Sequence, residues 1–527
     1  MKKIFIAMIA LATLSFTACE KELLNTNPTD AVSGDTIFSD TDGAMMALNG
    51  MYRFMWQWGS TTTGNYHQCF GPQSYNLMAD LMGEDFVQAA QGNGWFWYDY
   101  RYNVKSRYTA STWRSYDVWN YYYTLIANCN YIIDSVSKLE GFDPNLVNYI
   151  LGNAYAIRGW ALAYCDFVFA RSYIGHEDRL GVPIYTEPTF AGTTGKPRST
   201  NREVFAQAME DVNKAIELLG DEPQKHITHV DKYVANGIKA RIALYMGDYK
   251  TAYDAAKVAL SGGASYDYDS NFHYNDATHA SVLWGAEVIS TQGTTNPQFL
   301  AHMDWRFGGY GDASRKCCSA WLYGKLGVAD KRATDWWSLE VLKDGSTKGY
   351  QQYKFLFKNP DEPLTGADHI FMRAPEMQLI IAECACRLGN ESEAKEALSK
   401  LMATRDEKYT CENLTGTQLA TITTDETGSL LEAIILQRRI ELWGEYGRIY
   451  DIKRLRQGFV RTTDMGHPSS ALMANLHLND PETFDWVLTI PQAEFDANDR
   501  MVQNPVESYA TDTQGDDPAL TPAAKDE

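Results

Sequence analysis

The chain has no excess of basic residues and, beyond its first 18 residues, no long apolar run. Its 47 lysines and arginines compare with 67 aspartates and glutamates, giving a formal net charge of −20. Nucleic acid and anionic lipid bind proteins through positive charge that faces phosphate, so this balance argues against either as a partner. After the N-terminus, no segment reaches the roughly 18 consecutive apolar residues of a transmembrane helix.

The short motifs of the common enzyme classes are missing as well. The sequence contains no G-x-S-x-G, no H-E-x-x-H, no P-loop and no Rossmann glycine fingerprint. A glycoside hydrolase needs two carboxylates at a set separation, and no pair stands out among the 67 acidic residues. We therefore predict that the protein is not an enzyme.

Metal and cofactor sites are not indicated either. Eight cysteines remain besides Cys19, none in a C-x-x-C pair, and most are predicted to be small buried side chains. His226 and His229 form an isolated H-x-x-H, and residues 267–276 resemble a calcium loop but have Phe272 where the turn needs glycine. No cofactor is predicted; whether loop oxygens elsewhere hold a calcium ion stays open.

The N-terminus carries a secretion signal. Lys2 and Lys3 precede an apolar run from Ile4 to Phe16, which is too short for a comfortable bilayer span and is followed by Cys19. A cysteine directly after small residues is typical of the site at which bacterial lipoproteins are cleaved and acylated. We predict that residues 1–18 are removed and that a lipid on Cys19 anchors the protein to a membrane.

Helical periodicity dominates the rest of the chain. Apolar residues recur at three- and four-residue spacing, and glycine, asparagine or aspartate stands at the ends of the periodic stretches. The pattern predicts helices over 112–139, 147–172, 202–219, 231–246, 249–260, 372–388, 391–404 and 428–446. The predicted fold class is mainly α.

Two of these helix pairs form an internal repeat. Residues 238–260 align with 380–402 at a constant offset of 142, which matches Ala240 with Ala382, Gly247 with Gly389, Ala252 with Ala394, and Ala255 with Ala397. Small residues where two antiparallel helices cross, with a glycine turn between them, are typical of tetratricopeptide-type pairs. Two further pairs are predicted, within 119–172 and between 155–175 and 202–219. The four pairs, within 115–260 and 370–405, are expected to form one face of a larger globule.

Long loop-rich segments at 56–110 and 262–335 interrupt the helices. Loops of this length in a compact domain usually carry function, because a rigid frame positions them. The last segment, 508–527, has little apolar content and is predicted to be a mobile tail outside a single large domain over 19–507.

The first of these loop regions contains the densest aromatic stretch. Six aromatic side chains lie between Gly94 and Tyr102 without helical spacing. A sugar ring has an apolar face of C–H groups and a rim of hydroxyls, which suits an indole beside amide, carboxylate or guanidinium groups. We therefore predict a glycan-binding loop made of Asn93, Trp95, Trp97, Tyr98, Asp99 and Arg101. The alternative, that these rings pack on the core as a strand or irregular loop, stays open.

A second ring-and-glycine loop lies at 304–324. Trp305 and Tyr310 stand beside Gly308, Gly309 and Gly311 there, and we predict that both rings contribute to the same glycan site. Trp336-Trp337 and the pair Trp56 and Trp58 are predicted instead to pack under helices.

Four motifs along the chain belong together. They are Asn49-Gly50-Met51-Tyr52; Trp119, Tyr123, Ile126 and Asn128-Cys129-Asn130; Arg438-Arg439, Glu441-Leu442, Glu445, Arg448 and Asp451 through Arg454; and Ile490-Pro491, Glu494, Asn498 and Gln503-Asn504-Pro505. In combination they resemble the SusD/RagB family of outer-membrane nutrient-binding lipoproteins. Tyr446-Gly447, Asp499 and Val506 depart from the residues frequent in the family, as subgroup variation.

The resemblance implies a function. It implies a lipid-anchored protein of the cell outer membrane that binds oligosaccharide and delivers it to a SusC-like TonB-dependent transporter, with the tetratricopeptide-type face as the partner surface. It also implies that the segment before the first repeat helix supplies ligand-binding aromatics. A peptide-binding member of the family, a surface hydrolase and an adaptor whose loops bind nothing stay open as alternatives.

The third motif is predicted to be structural. Its arginines and acids recur at three- and four-residue spacing, which allows ion pairs along a charged helix face that joins the repeats to the rest of the fold.

Overall fold

The computed structural model describes residues 37–59, 61, 65–102, 112–190, 192–341, 347–363 and 367–505. The predicted signal peptide 1–18, the lipid site Cys19 and the tail 508–527 lie outside the described residues. None of the helices in the described ranges combines the length and apolar character needed to cross a membrane.

The described part of the chain is mainly helical, as predicted. In chain order the helices are α1 (Thr41–Trp56), α2 (Pro72–Met82), α3 (Trp97–Tyr100), α4 (Trp113–Val136), α5 (Pro144–Phe169), α6 (Asn201–Leu219), α7 (Lys232–Met246), α8 (Tyr249–Leu260), α9 (Phe299–Met303), α10 (Tyr310–Ala313), α11 (Ala320–Tyr323), α12 (Arg332–Asp335), α13 (Ala374–Arg387), α14 (Glu391–Met402), α15 (Leu430–Glu441), α16 (Arg448–Leu455) and α17 (Gln492–Ala497). The strands are β1 (Phe86–Gln88), β2 (Val282–Ala286), β3 (Lys316–Cys318), β4 (Trp337–Val341), β5 (Thr347–Gln352) and β6 (His369–Arg373).

The helix pairs predicted from the sequence pack as pairs. Helix α4 packs on α5, α5 on α6, α7 on α8 and α13 on α14, and α8 also packs against α13. The two pairs nearer the N-terminus therefore share α5. The two copies of the internal repeat, α7–α8 and α13–α14, stack directly on each other.

The residues that defined the repeat explain its geometry. Gly247 and Gly389 both have positive φ, 77° and 81°, in the tight turns that follow α7 and α13, a conformation that favours glycine. The matched alanines are all buried at the crossings, because a side chain larger than a methyl group would force the helices apart.

Helices α15 and α2 both differ from the sequence prediction. The helix predicted over 428–446 ends at Glu441, because the following turn includes Gly444 at a φ of 83°. Helix α2 lies inside the predicted loop-rich segment 56–110. Ten of its 11 residues are buried, including the polar Gln73, Ser74 and Asp80, so its polar positions do not mark a solvent-facing side as they do in a surface helix.

A small sheet brings the two loop-rich segments together. Its strand order is β1-β3-β5-β4, and every neighbouring pair is antiparallel. Val87 of β1 pairs with Cys317 of β3, which sets the loop that follows β1 beside the loop that precedes β3. The two predicted ligand loops are therefore neighbours, although about 200 residues separate them along the chain.

The charged C-terminal motif is buried, whereas the sequence predicted ion pairs along one charged face of a helix. Most of its ion pairs reach across the fold: Arg439 to Glu84 and Asp85, Arg448 to Glu84, and Arg454 to Glu383. Arg454 also pairs with Asp451 within α16. The motif thus joins α15 and α16 to α13 and to the segment after α2, so its role is structural, as predicted.

One of these carboxylates predicts a pH dependence of stability. Burial raises the pKa of Asp451, but the guanidiniums of Arg438 and Arg454 outweigh it and lower the pKa to about 2 from an ordinary value of 3.8. A depressed folded-state pKa contributes stability that is present above pH 4 and is lost as the pH falls towards 2, here on the order of 2 kcal/mol.

We expect Asp451→Asn to lower the free energy of unfolding at pH 7 and to flatten its fall between pH 4 and 2. Denaturant unfolding at a series of pH values measures both effects. Parallel curves for the two proteins would contradict the assignment to Asp451.

Candidate functional site

Five aromatic rings meet where the two loop-rich segments adjoin. Successive ring centroids are 5.4 Å apart for Trp58 and Tyr66, 4.3 Å for Tyr66 and His67, 4.8 Å for His67 and Trp95, and 5.6 Å for Trp95 and Tyr310. We call this set the ring platform. Three separate segments contribute to it, so it exists only in the folded chain.

The platform is open to solvent at one end and buried at the other. Trp58 and Tyr66 are 40% and 41% exposed, Trp95 is half-buried, and Tyr310 is only 8% exposed. A large exposed ring surface usually marks a binding site, since leaving so much apolar surface in contact with water is unfavourable.

Backbone anchors hold Trp95 in place. The backbone N–H of Phe96 donates to Gln68 Oε1 over 2.5 Å, and Gln88 Nε2 donates to the carbonyl of Trp95 over 3.2 Å. A Cβ on Gly92 would lie 2.4 Å from the carbonyl oxygen of Ala313, so only glycine allows the two loops to pack this closely.

His67 occupies the centre of the platform as a neutral ring. Its Nδ1 hydrogen-bonds with the Tyr310 hydroxyl, and its carbonyl accepts a hydrogen bond of 2.8 Å from His302 Nε2. Burial lowers the pKa of His67 below its ordinary 6.5, so the imidazole carries no charge at neutral pH. The centre of the platform is therefore flat and uncharged.

The predicted residues beside Trp95 fall into an exposed group and a buried group, and helix α3 separates Tyr98 from the buried ones. Asn93 and Tyr98 are exposed, and the Tyr98 ring lies over Gly94, next to Trp95 in sequence. Trp97 and Asp99 are 5% and 2% exposed, so the prediction that they stand on a surface loop is wrong. The single turn of α3 directs these two side chains into the core and leaves Tyr98 outside.

Two other predicted residues have local partners. Arg101 Nε donates to the carbonyl of Ser470 over 2.7 Å, and its guanidinium lies 5.7 Å from the centre of the buried Trp97 ring. Trp305 is half-buried, lies edge-on to Tyr353 at 5.7 Å and is covered by the guanidinium of Arg315 at 5.2 Å. Among the ring contacts of the described residues, Trp305 thus flanks the platform without joining it.

Asp99 has a structural partner. Arg114 is fully buried and donates to Asp99 through Nε at 3.1 Å and through a terminal nitrogen at 2.8 Å. Asp99→Ala would leave Asp117, at 3.2 Å, as the remaining carboxylate of Arg114. We expect Asp99→Ala to lower the free energy of unfolding by about 3 kcal/mol, because the buried guanidinium of Arg114 would keep only one of its two carboxylate partners.

Thermal and denaturant unfolding measure that loss. Asp178→Ala, which removes the surface ion pair with Arg202, is the control and should leave stability unchanged. Unchanged stability together with weakened ligand binding in Asp99→Ala would instead return Asp99 to the ligand site.

Sequence reasoning missed three members of the platform. Trp58 was grouped with Trp56, which is buried as predicted, whereas Trp58 is exposed. Tyr66 and His67 lie in a predicted loop, and neither a motif nor a spacing marks them. The sequence shows only that these rings lie in the same loop-rich segment as Trp95, and this does not indicate which rings of the segment join the platform.

Within the described ranges, no three or more metal-ligating side chains cluster. His229 of the H-x-x-H is buried, with Nε2 hydrogen-bonded to Asn49 and Nδ1 to the Tyr149 hydroxyl. These protein partners account for both of its ring nitrogens.

Comparison with known families and structures gives consistent results. A family model described as "SusD family" matches residues 318–506, and one described as "Starch-binding associating with outer membrane" matches residues 68–244. No curated protein sequence matches the chain.

Several solved structures share the fold of this chain. A SusD-like carbohydrate binding protein from Bacteroides vulgatus ATCC 8482 is similar with a TM-score of 0.73 and 23% identity, over 88% of this chain and 97% of the other. A SusD superfamily protein from Bacteroides thetaiotaomicron VPI-5482 gives 0.71 and 23%, over 88% and 99%. Surface glycan-binding protein A from Bacteroides fluxus gives 0.63 and 17%, over 88% and 99%.

Proposed function

The chain belongs to the SusD/RagB family, and from that premise we propose that it binds oligosaccharides on the ring platform and delivers them to a SusC-like TonB-dependent transporter. The observation that carries the proposal is the platform itself. Its partly exposed rings offer flat apolar surfaces to the C–H faces of sugars, and Asn93 and Tyr98 beside them offer polar groups to sugar hydroxyls.

The charges around the platform favour a neutral glycan. Arg306 pairs with Asp304 at 2.7 Å, and Arg315 pairs with Asp312 at 2.7 Å. Among the described residues, Arg306 and Arg315 thus each have a carboxylate partner, so an anionic sugar that paired with either arginine would have to displace an existing ion pair. We therefore propose an uncharged oligosaccharide that lies along Tyr66, Trp95 and Tyr98, with Trp305 at the flank.

The rest of the proposal concerns location and partner. A lipid on Cys19 would attach the protein to the outer membrane, and the stacked helix pairs α7–α8 and α13–α14 would provide a rigid surface for the transporter. Binding at a solvent-exposed platform is expected to be modest and reversible, which suits a protein that must release its cargo.

Calorimetric titration tests the proposal. The unlipidated mature chain, residues 19–527, is titrated with neutral oligosaccharides, with uronic-acid oligosaccharides and with peptides. We expect heat from at least one neutral oligosaccharide and none from peptides. Binding of peptides alone would replace the proposal with a peptide-binding function. Shortened sugars after overnight incubation would show that the protein is an enzyme.

A further inference from the structure

A second aromatic groove lies where α4, α17 and the residues 185–190 and 192–195 meet. It has a volume of about 260 Å³ and shares no residue with the ring platform. Its lining consists of Tyr123, Ile126, Ala127, Asn130, Tyr185, Thr189, Phe190, Thr193, Thr194, Gly195, Glu494, Ala497 and Asn498. We call it the threonine groove.

One of the three rings that line the threonine groove is largely exposed to solvent. Phe190 is 69% exposed and lies edge-on to Tyr131 at 5.9 Å. Tyr185 lies edge-on to Tyr123 at 6.0 Å on the inner side. Tyr131 is itself 36% exposed, so the two rings form a continuous apolar surface at the edge of the cavity, and a continuous surface of this kind marks binding sites more often than a single exposed ring does.

The turn that presents Phe190 is locked by its own hydrogen bonds. The backbone N–H of Phe190 donates to Thr193 Oγ1 over 2.8 Å, and the backbone N–H of Thr193 donates to the carbonyl of Phe190 over 2.9 Å. Asn130 Nδ2 donates to the carbonyls of Tyr185 and Glu187 over 3.0 and 3.1 Å. The groove is therefore a preformed shape that α4 holds open.

The polar groups of the groove are mostly uncharged. Glu494 is the carboxylate of the lining, and it already accepts from Trp119 Nε1 over 3.1 Å and from Asn498 Nδ2 over 3.0 Å. At the rim, the Lys196 ammonium lies 5.5 Å from the centre of the Tyr185 ring. Besides one cation and one occupied carboxylate, the lining offers a ligand the hydroxyls of Thr189 and Thr194 and the hydroxyl proton of Thr193, whose Oγ1 already accepts from the Phe190 N–H.

We propose that the threonine groove is a second binding site for a neutral oligosaccharide, separate from the ring platform. Aromatic rings that line a concave space, with hydroxyl groups among them, match the C–H faces and hydroxyl rims of one or two sugar units. The volume fits that size, since it lies just below the range of about 300–1,000 Å³ that accommodates larger ligands. Two sites on one chain would hold a long glycan by effective concentration and release it more slowly than either site alone.

The test measures how many short oligosaccharides bind to each chain. The mature chain is titrated calorimetrically with neutral trisaccharides (maltotriose, cellotriose, laminaritriose, mannotriose and xylotriose), which are meant to be too short to occupy both sites at once. Phe190→Ala removes the exposed ring, and Ala497→Arg places a long side chain in the groove from an exposed helix end. We expect two sugars per wild-type chain and one per Ala497→Arg chain, and an affinity about tenfold lower at the groove of Phe190→Ala.

Trp95→Ala separates the two sites. It should leave the groove's affinity unchanged. One sugar fewer per chain in Ala497→Arg than in the wild type, with weaker binding at the groove of Phe190→Ala, therefore supports this inference whether or not the platform binds. One sugar per chain in the wild type and in both groove variants would overturn it. A wild-type dimer in sedimentation velocity that Ala497→Arg converts to monomers, with unchanged sugar stoichiometry, would overturn it in favour of a contact between two copies of the chain.

Discussion

Trp95→Ala is expected to lower the affinity for the bound oligosaccharide by about 30- to 150-fold, which corresponds to about 2–3 kcal/mol. Trp95 is half-buried between His67 and Tyr310, so its indole is the best-fixed large ring of the platform. A ring held in place before binding loses little conformational entropy on binding, and its removal also leaves His67 without its stacking partner. Calorimetry with the best oligosaccharide from the panel measures the change.

The control for Trp95→Ala is the loss of an exposed ring elsewhere. Phe142 is 37% exposed in the turn before α5, and Phe142→Ala should bind the oligosaccharide like the wild type. Circular dichroism checks that both variants are folded. An affinity that Trp95→Ala leaves unchanged would place the ligand outside the ring platform.

Glu441→Gln is expected to destabilise the fold by about 3–5 kcal/mol, the usual cost of removing one partner of a buried charge network. The carboxylate of Glu441 is fully buried and accepts from Arg405 at 2.9 Å, Arg332 at 3.2 Å and Arg373 at 3.2 Å. Burial alone would raise its pKa, but the three arginines hold it well below the ordinary range. Glutamine keeps the size of the side chain and removes the charge that balances them.

Arg405 is the residue most affected by this substitution, because Glu441 is its carboxylate partner in the network. Glu396→Gln, which breaks the exposed pair with Lys400 in α14, is the matched control and should leave the unfolding midpoint unchanged. Denaturant unfolding of the three proteins gives the comparison. Equal midpoints for Glu441→Gln and the wild type would mean that the arginines are neutralised in another way.

Much of the scaffold was predictable because it depends on local pattern. The apolar spacing gave the helices of the repeat, and the glycines at 247 and 389 marked turns that need positive φ. Helix α2 was not predicted in this way; it lies in a segment rich in loops, and its polar Gln73, Ser74 and Asp80 are buried together with its apolar residues. The C-terminal motif shows a related limit: its spacing indicated ion pairs within a helix, whereas most of its partners lie in other segments.

The sequence predicted the kinds of residue that form the candidate site, but not which individual residues belong to it. A cluster of rings beside glycines indicated a sugar-binding loop and selected Trp95 and Tyr98, which lie at the surface or half-buried. It also selected Trp97 and Asp99, which one turn of helix directs inward. Trp58, Tyr66 and His67 complete the platform from another segment, and nothing in their local sequence marks them as partners of Trp95.

By itself, the sequence determined the helical class and the internal repeat, because both depend on residue spacing along the chain, and its four motifs carried the resemblance to the family. Only the tertiary structure decided which rings face solvent and which carboxylates balance which arginines. The pairing of β1 with β3 joins segments that are about 200 residues apart, and such long-range contacts leave no periodic trace in the sequence. The direction in which a ring points depends on its neighbours in space, so it is set when those segments pack together.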